Sequence, residues 1–282
     1  MSGALWREAV TQLRDDRLAL ACAALLVAMA LAAIAGPLLL PFRVDEIDWA
    51  HMAVPPFEAA GHWLGTDRLG RDLLVRTLHG LRVSLAIALA ATLVALVIGV
   101  AWGALAGFKR GRTDAWMMRF VDVLYSLPQV FFVIILTVVF GRGPLVILVA
   151  IGAFGWLTMA RIVRGQALAL RERDFVEAAV VGGASTPRIV WRHIVPNLLG
   201  PVVVYATLIL PQVILVESFL SFLGIGIQEP LASLGNLIAD GAAELETAPW
   251  ILVVPAACLM LLVFCFNFLG DSLRDALDPR DR

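Results

Sequence analysis

Lysine is almost missing from this sequence: of 22 basic residues in 282, only Lys109 is a lysine. A phosphate-binding G-x-x-x-x-G-K-S/T loop needs a lysine to neutralise phosphate charge. Lys109 stands between Phe108 and Arg110, so the chain cannot form that loop. Charge of either sign is scarce, at 16% of residues against about 25% in soluble domains. With 60% hydrophobic residues and a mean hydropathy of +0.87, too little polar surface remains to coat a water-soluble globule. Membrane residence is expected. A formal net charge of -1 leaves no electrostatic footprint for nucleic acid. The three cysteines, Cys22, Cys258 and Cys265, lie in apolar runs without metal or redox spacing, and read as small core hydrophobes. The four histidines are scattered, and neither a metal cluster nor a nucleophile–base pair stands out. His51, His62 and His79 read as loop or interface residues.

Long apolar runs are abundant. A bilayer core of about 30 Å takes about 20 apolar residues as helix. Six runs meet or approach that length: Leu18–Leu40, Val83–Phe108, Phe120–Phe140, Leu145–Met159, Leu198–Leu220 and Trp250–Leu269. The first reads as a retained span rather than a cleaved signal, because a charged Arg7–Arg17 segment with Glu8, Asp15 and Asp16 precedes it. The fourth is short, interrupted by Gly152 and Gly155, and expected to end where Arg161 and Arg164 reach the interface. Asp122, at the start of the third, is expected at the interface. Pro201 and Pro211 are expected to kink the fifth span and Pro255 the sixth, as in helices that line a cavity or pack tightly. The expected fold is all-α and polytopic. Its parts are a segment 1–17, a first span 18–40, an external loop 41–82, a five-helix core 83–270 holding a loop at 165–197, and a tail 271–282.

With the N-terminus inside, sixteen basic residues fall on the cytoplasmic side and six outside, so the positive-inside rule puts both termini in the cytoplasm. The outer loop Pro41–Arg82 holds five of those six. Its Gly70–Arg82 part reads as an amphipathic helix on the outer face. A second outer segment, Ser221–Pro249, carries no basic residue.

The region Asp174–Asn197 is a polar, helix-forming island between apolar runs. Asp174 reads as an N-cap and Glu177 as a first-turn acid near the positive helix end. Gly182-Gly183 stops the helix. Ser185-Thr186-Pro187 starts a second one, which Pro196 is expected to end. Ala178 and Ala179 leave room for a partner backbone. From composition alone, this hairpin could equally be a joint between spans or a docking element.

Its spacing resembles the cytoplasmic EAA loop of ABC importer permeases: Glu177-Ala178-Ala179, three residues, Gly183, then Pro196. The ending Arg192-His193-Ile194-Val195-Pro196-Asn197 is similar to that of the peptide branch, with Val195 where leucine is usual. Three further segments look like the second membrane subunit of the dipeptide/oligopeptide/nickel branch: Leu64–Asp72, Ser221–Pro230 and Asn267–Arg280. One departure is Leu234, where relatives often carry a tryptophan.

That resemblance implies a type I ABC importer permease with six transmembrane helices. It implies a heterodimer with a homologous sister permease, two ATPase subunits and an external solute-binding protein, in the bilayer of a bacterial inner membrane. Glu177, Ala178, Ala179, Gly183, Arg188, Arg192 and Pro196 would then couple to the ATPase, with His193 packed in the socket; Arg188 and Arg192 could equally meet lipid headgroups. ATP and magnesium would sit on the partners, and the chain would carry no cofactor, metal or catalytic residue of its own. Glu217, Pro211 and Gln228 are candidates for the pore or its outer mouth, and Glu217 is expected to be solvated at the outer interface. Peptides are the expected cargo, with nickel, glutathione or another small solute as the alternative. A secondary transporter would need its own coupling-ion site and commonly an inverted repeat, and a membrane enzyme a converging catalytic set; the sequence offers neither.

Overall fold

The computed structural model describes residues 11–277. Among them the chain is almost entirely helical, with one isolated β-bridge between Thr66 and Asp72. We number the helices α1 (Arg17–Leu39), α2 (Leu73–Lys109), α3 (Gly111–Tyr125), α4 (Gln129–Phe140), α5 (Pro144–Arg171), α6 (Asp174–Val181), α7 (Thr186–Ile189), α8 (Val195–Phe222), α9 (Leu234–Ala243) and α10 (Trp250–Leu277). Five helical runs are long and apolar enough to cross a membrane, and the α3–α4 pair makes a sixth crossing if its two limbs are one span. Exposed apolar side chains such as Leu31 on α1, Val97 on α2 and Met260 on α10 match a lipid solvent.

α2 organises the bundle. At about 1.5 Å per residue its 37 residues extend about 55 Å, well beyond a hydrocarbon core of about 30 Å. The helix that carries the second apolar run begins at Leu73, ahead of Val83. Residues 73–82 are its first turns rather than a separate surface helix, and the preceding loop ends at Asp72, whose side chain caps α2 by accepting from Val75 N at 2.8 Å.

α2 and α5 share the largest interhelical interface. Gly99, Gly103 and Gly107 recur every four residues along the seam. A Cβ at Gly103 would lie 2.4 Å from the Ala160 carbonyl oxygen, and one at Gly107 2.7 Å from that of Arg164. Small residues at this spacing let two helix backbones touch, the main route to helix association where lipid removes the hydrophobic drive. From the other side, Gly152 and Gly155 pack on Val94 and Ala95. They do not interrupt α5, which runs unbroken for 28 residues. Arg161 and Arg164 do not end it either: they pair with Asp122 and Asp114 of α3. Asp122 is exposed in that pair.

The third crossing departs most from expectation. It is broken at Ser126-Leu127-Pro128, where α3 and α4 meet at 76°. Pro128 supplies no backbone N–H, and a proline pushes the residue before it out of the helical region, so the helix stops there. The fifth differs in the opposite sense. Pro196 does not end a helix: α7, a π-turn at Val190–Ile194 and α8 form one helical run from Thr186 to Phe222. In the π-turn Val195 N bonds the Val190 carbonyl five residues back, a widening that relieves the clash between a proline ring and the carbonyl four residues before it. Pro201 and Pro211 lie inside α8, and Pro255 inside α10.

Candidate functional site

The hairpin forms at the end of α2 that carries Lys109. α6 starts at Arg173, which adopts the extended N-cap conformation, so Asp174 and Glu177 both sit in the first turn and Asp174 is not the cap. Their carboxylates remain favourably placed near the helix N-terminus. The helix closes with a Schellman pair: Ala184 N donates to the Ala179 carbonyl at 3.1 Å and Gly183 N to the Val180 carbonyl at 3.0 Å. Gly183 holds φ at +74°, the left-handed conformation this motif requires. Ser185 then precedes α7 in an extended conformation, with Pro187 in its first turn and no side-chain cap bond.

The hairpin rests on the bundle through few residues. Val176, Ile189, Val190 and Ile194 are buried against it. Its root is held by polar contacts: Arg110 pairs with Glu172 at 2.5 Å and donates to the Leu168 carbonyl, while Arg171 donates to the carbonyl of Phe108. The opposite face is uncovered. Glu177, Ala178, Gly182, Gly183, Arg188, Arg192 and Pro196 are exposed there, while Ala179 and His193 are half-buried. Among them stand apolar side chains that a free surface would not favour: Val181 is 83% exposed, Trp191 59% and Val180 51%. Glu177, Ala178, Gly183, Arg188 and Arg192 are thus all exposed on the hairpin, alongside these apolar side chains.

The far end of α2 carries a different set. Glu217 is not solvated: it is wholly buried, accepting from Ser84 Oγ at 2.8 Å, Ser221 Oγ at 2.9 Å and Ser218 Oγ at 3.4 Å. Ser84 Oγ in turn accepts from Leu234 N, the first residue of α9. A carboxyl group buried in a span is costly unless satisfied; here it clasps α2, α8 and the start of α9. It faces no open surface of this chain, and Pro211 is buried too. Gln228 is half-buried, its amide spent on the carbonyls of Gly224, Gly226 and Ile227. Within this chain Glu217 and Pro211 are thus packed between helices, while Gln228 keeps part of its surface open.

Beside the clasp, Arg76 is 1% exposed and donates to Asp67 at 2.9 Å, with Glu229 and Asp240 within 3.7 Å. Arg71 bridges Asp67 and Glu229. Burial, and then the Glu229 charge, raise the Asp240 pKa. Gly70, at φ +76°, passes so close to Asp48 that a Cβ would come within 1.9 Å of its carbonyl oxygen. His62 is buried on Asp72, and Trp250 Nε1 donates to the Thr66 carbonyl. The segment Leu64–Asp72 is therefore a built loop. Contrary to the scattered look of the histidines, His51 and His62 converge there with Asp48, their ligand atoms all within 4.8 Å of one another.

A groove of about 350 Å³ opens where α3 and α4 break, between α5 and α8. Its polar lining is Tyr125, Gln129, Thr158 and Gln212, among Ile209, Val213 and other apolar groups. Sequence reasoning missed these residues, although uncharged amides and hydroxyls inside apolar runs are a readable signal.

Fold and site together define a multi-pass membrane protein that presents a shaped helical hairpin at one end. The family model for the binding-protein-dependent transport system inner membrane component matches residues 99–282, and that for the N-terminal TM domain of oligopeptide transport permease C matches residues 4–56. The chain is 53% identical to the oligopeptide transport system permease protein OppC of Escherichia coli K12, over 99% of this chain and 92% of that protein. It is 43% identical to the OppC protein of Bacillus subtilis, covering 99% and 90%, and 43% identical to the dipeptide transport system permease protein DppC of the same organism, covering 98% and 86%. A solved structure of the MetNI methionine ABC transporter, in an inward-facing conformation, matches with a TM-score of 0.58 at 22% identity over 72% of this chain and 96% of that one, a likeness of fold. The chain belongs to the family of inner-membrane permease components of binding-protein-dependent transport systems, in its C-type branch.

Proposed function

We propose that this chain forms half of the translocation pore of an ATP-driven importer of oligopeptides, and that the 165–197 loop is its ATPase-coupling element. The observation that carries the coupling role is the hairpin: the Glu177-Ala178-Ala179…Gly183 spacing is closed by a Schellman turn, and its outward face is apolar and uncovered. Small side chains at Ala178, Ala179 and Gly183 admit a groove wall closely, while Arg188 and Arg192 supply charge at the rim. The peptide cargo is supported by near-full-length identity to oligopeptide permeases.

The remaining parts follow. A sister permease completes the pore, two ATPases hold ATP and magnesium, and an external solute-binding protein delivers the peptide. The hairpin faces the cytoplasm, as do both termini, and the Leu64–Asp72 loop faces outward. Closing of the ATPase dimer drives the hairpin, and with it the α2–α5 unit, as a rigid body, which switches pore access. The groove lined by Gln129, Thr158 and Gln212 suits an extended peptide, whose backbone offers amides at every residue.

The test is uptake by vesicles holding the complete complex, with each binding protein supplied in turn. ATP-dependent accumulation of short peptides supports the reading. Accumulation of nickel or glutathione alone would move the cargo to another member of the branch and leave the coupling element standing. Uptake without any ATPase subunit would overturn both.

A further inference from the structure

The transport reading leaves the histidine cluster in the 41–72 loop without a task. We propose that Asp48, His51 and His62 form a binding site for one divalent transition-metal ion of the zinc type.

Asp48 Oδ2 is the hub, 2.8 Å from His51 Nδ1 and 3.9 Å from His62 Nε2. Ligand atoms about 2.0–2.1 Å from a tetrahedral zinc ion stand about 3.3 Å apart. The two observed separations bracket that value, so the carboxylate is within about half an ångström of a ligand's spacing from each ring, and the third pair, His51 with His62, lies within 4.8 Å.

The surroundings fix each ligand. His62 is 2% exposed, and its Nδ1 meets Asp72 Oδ2 at 2.9 Å. A carboxylate on one ring nitrogen holds the proton there and leaves the lone pair of the other for a metal, the usual outer-shell support of a metal-binding histidine. Here that free nitrogen is Nε2, which faces Asp48. Asp72 is itself fixed, because its other oxygen caps α2. The His62 ring stacks on Phe42 at 4.3 Å between centroids. Asp48 Oδ1 accepts from Ala50 N at 3.0 Å, leaving Oδ2 for the cluster. The backbone of His51 is anchored by Thr66, whose hydroxyl donates to its carbonyl.

The donor set selects the ion. Two imidazoles and one carboxylate suit zinc, nickel or copper, whereas magnesium and calcium prefer oxygen alone. Three protein ligands leave a fourth position for water. The His51 and Asp48 side chains are 45% and 38% exposed, so an ion can enter. On binding, the His51 proton now shared with Asp48 moves to Nε2 by exchange with solvent, and the imidazole stays neutral. The ion would join the Asp48–His51 turn to His62, and through Asp72 to the first turn of α2.

The full chain, carried on a tag without histidine, placed in nanodiscs and stripped with chelator, is titrated with Zn2+ by calorimetry. Co2+ substitution reports geometry through its visible d–d bands. One ion per chain is expected, with tetrahedral Co2+ bands. His51→Ala is expected to weaken Zn2+ binding at least about 100-fold, since losing an outer-shell partner alone costs about 10–100-fold. Its metal-free melting curve should match the wild type, because the side chain is half exposed. Asp48→Asn is the second variant and should weaken binding likewise. Absence of stoichiometric Zn2+ binding by the wild type, or equal affinity in wild type and both variants, overturns the site. Neither result touches the transport reading, which uptake alone decides.

Discussion

Gly183 offers the sharpest separation between a docking hairpin and a mere joint. Its φ of +74° lies where an L side chain costs about 1–2 kcal/mol. A Cβ built on it meets nothing within 4 Å, so the penalty is conformational and involves no clash. A β-branched side chain adds crowding at the same backbone angles. Gly183→Val should therefore shift the closed Schellman turn by at least about 1–2 kcal/mol, a factor of about 5–30 in its closed-to-open ratio. Because the hairpin is rooted by Val176, Ile189 and Ile194 and by the Arg110–Glu172 pair, all untouched, insertion and melting of the bundle should hold. Affinity for the ATPase subunit, measured in nanodiscs, should fall by up to that factor of about 5–30, and ATP-driven uptake with it. Gly183→Asn is the companion, since asparagine tolerates this conformation and should restore most of the loss. Ordinary uptake and ATPase binding by Gly183→Val would refute the assignment, because a joint can bend without consequence and a docking surface cannot.

Other substitutions test the remaining parts. Glu217→Ala leaves the hydroxyls of Ser84, Ser218 and Ser221 without their shared acceptor, at about 1–3 kcal/mol for each buried group left unpaired. Thermal unfolding in detergent should show a large loss for alanine and a smaller one for Glu217→Gln, and equal melting of both would refute the clasp. Gly103→Leu drives a side chain into the Ala160 carbonyl, so the α2–α5 seam should part and the protein should fail to yield a monodisperse, folded sample, whereas Gly165→Ala, with open space around it, should behave as wild type. Arg76→Met strips a buried cation from Asp67 and should cost about 3–5 kcal/mol by leaving that carboxylate under-compensated; unchanged melting would show the charge to be dispensable.

Hydropathy made five of the crossings legible, because lipid demands long apolar helices and little else. It failed where distant partners changed the meaning of a residue. Arg76 and Arg82 made the start of α2 look like a surface helix, yet Arg76 is neutralised by Asp67, Glu229 and Asp240, two of them over 150 residues away in sequence. Glu217 looked solvated because its hydroxyl partner Ser84 lies 133 residues before it. Pro196 looked like a stop, but a π-turn absorbs it. Pro128, with its local signal, broke a helix that was read as continuous. The Gly99, Gly103, Gly107 repeat was equally local and equally readable at a period of four. The hairpin's first helix was the most legible part, since caps and glycines act within a few residues; its cap moved from Asp174 to Arg173, while its second helix runs on through Pro196. The His51–His62 encounter was out of reach, because it depends on the path of a loop.

The α2–α5 seam ties the two ends of the molecule into one mechanical unit. α5 runs directly into the hairpin, and Arg110 and Arg171 lash the hairpin root to the end of α2. Along the seam the backbones touch at three glycines, so sliding one helix past the other would drive carbonyl oxygens into occupied space. Close-packed contacts of this kind resist continuous deformation. On the proposed reading, a push on the hairpin is carried the length of α2, about 55 Å, to the Ser84–Glu217 clasp and the loop anchored by Asp72 at its other end. The 76° break between α3 and α4 lies off that axis, beside the groove. On the proposed reading, the stiff elements transmit and the broken one yields. A transport cycle driven from one face needs that division, and a bundle of six equally rigid spans would not supply it.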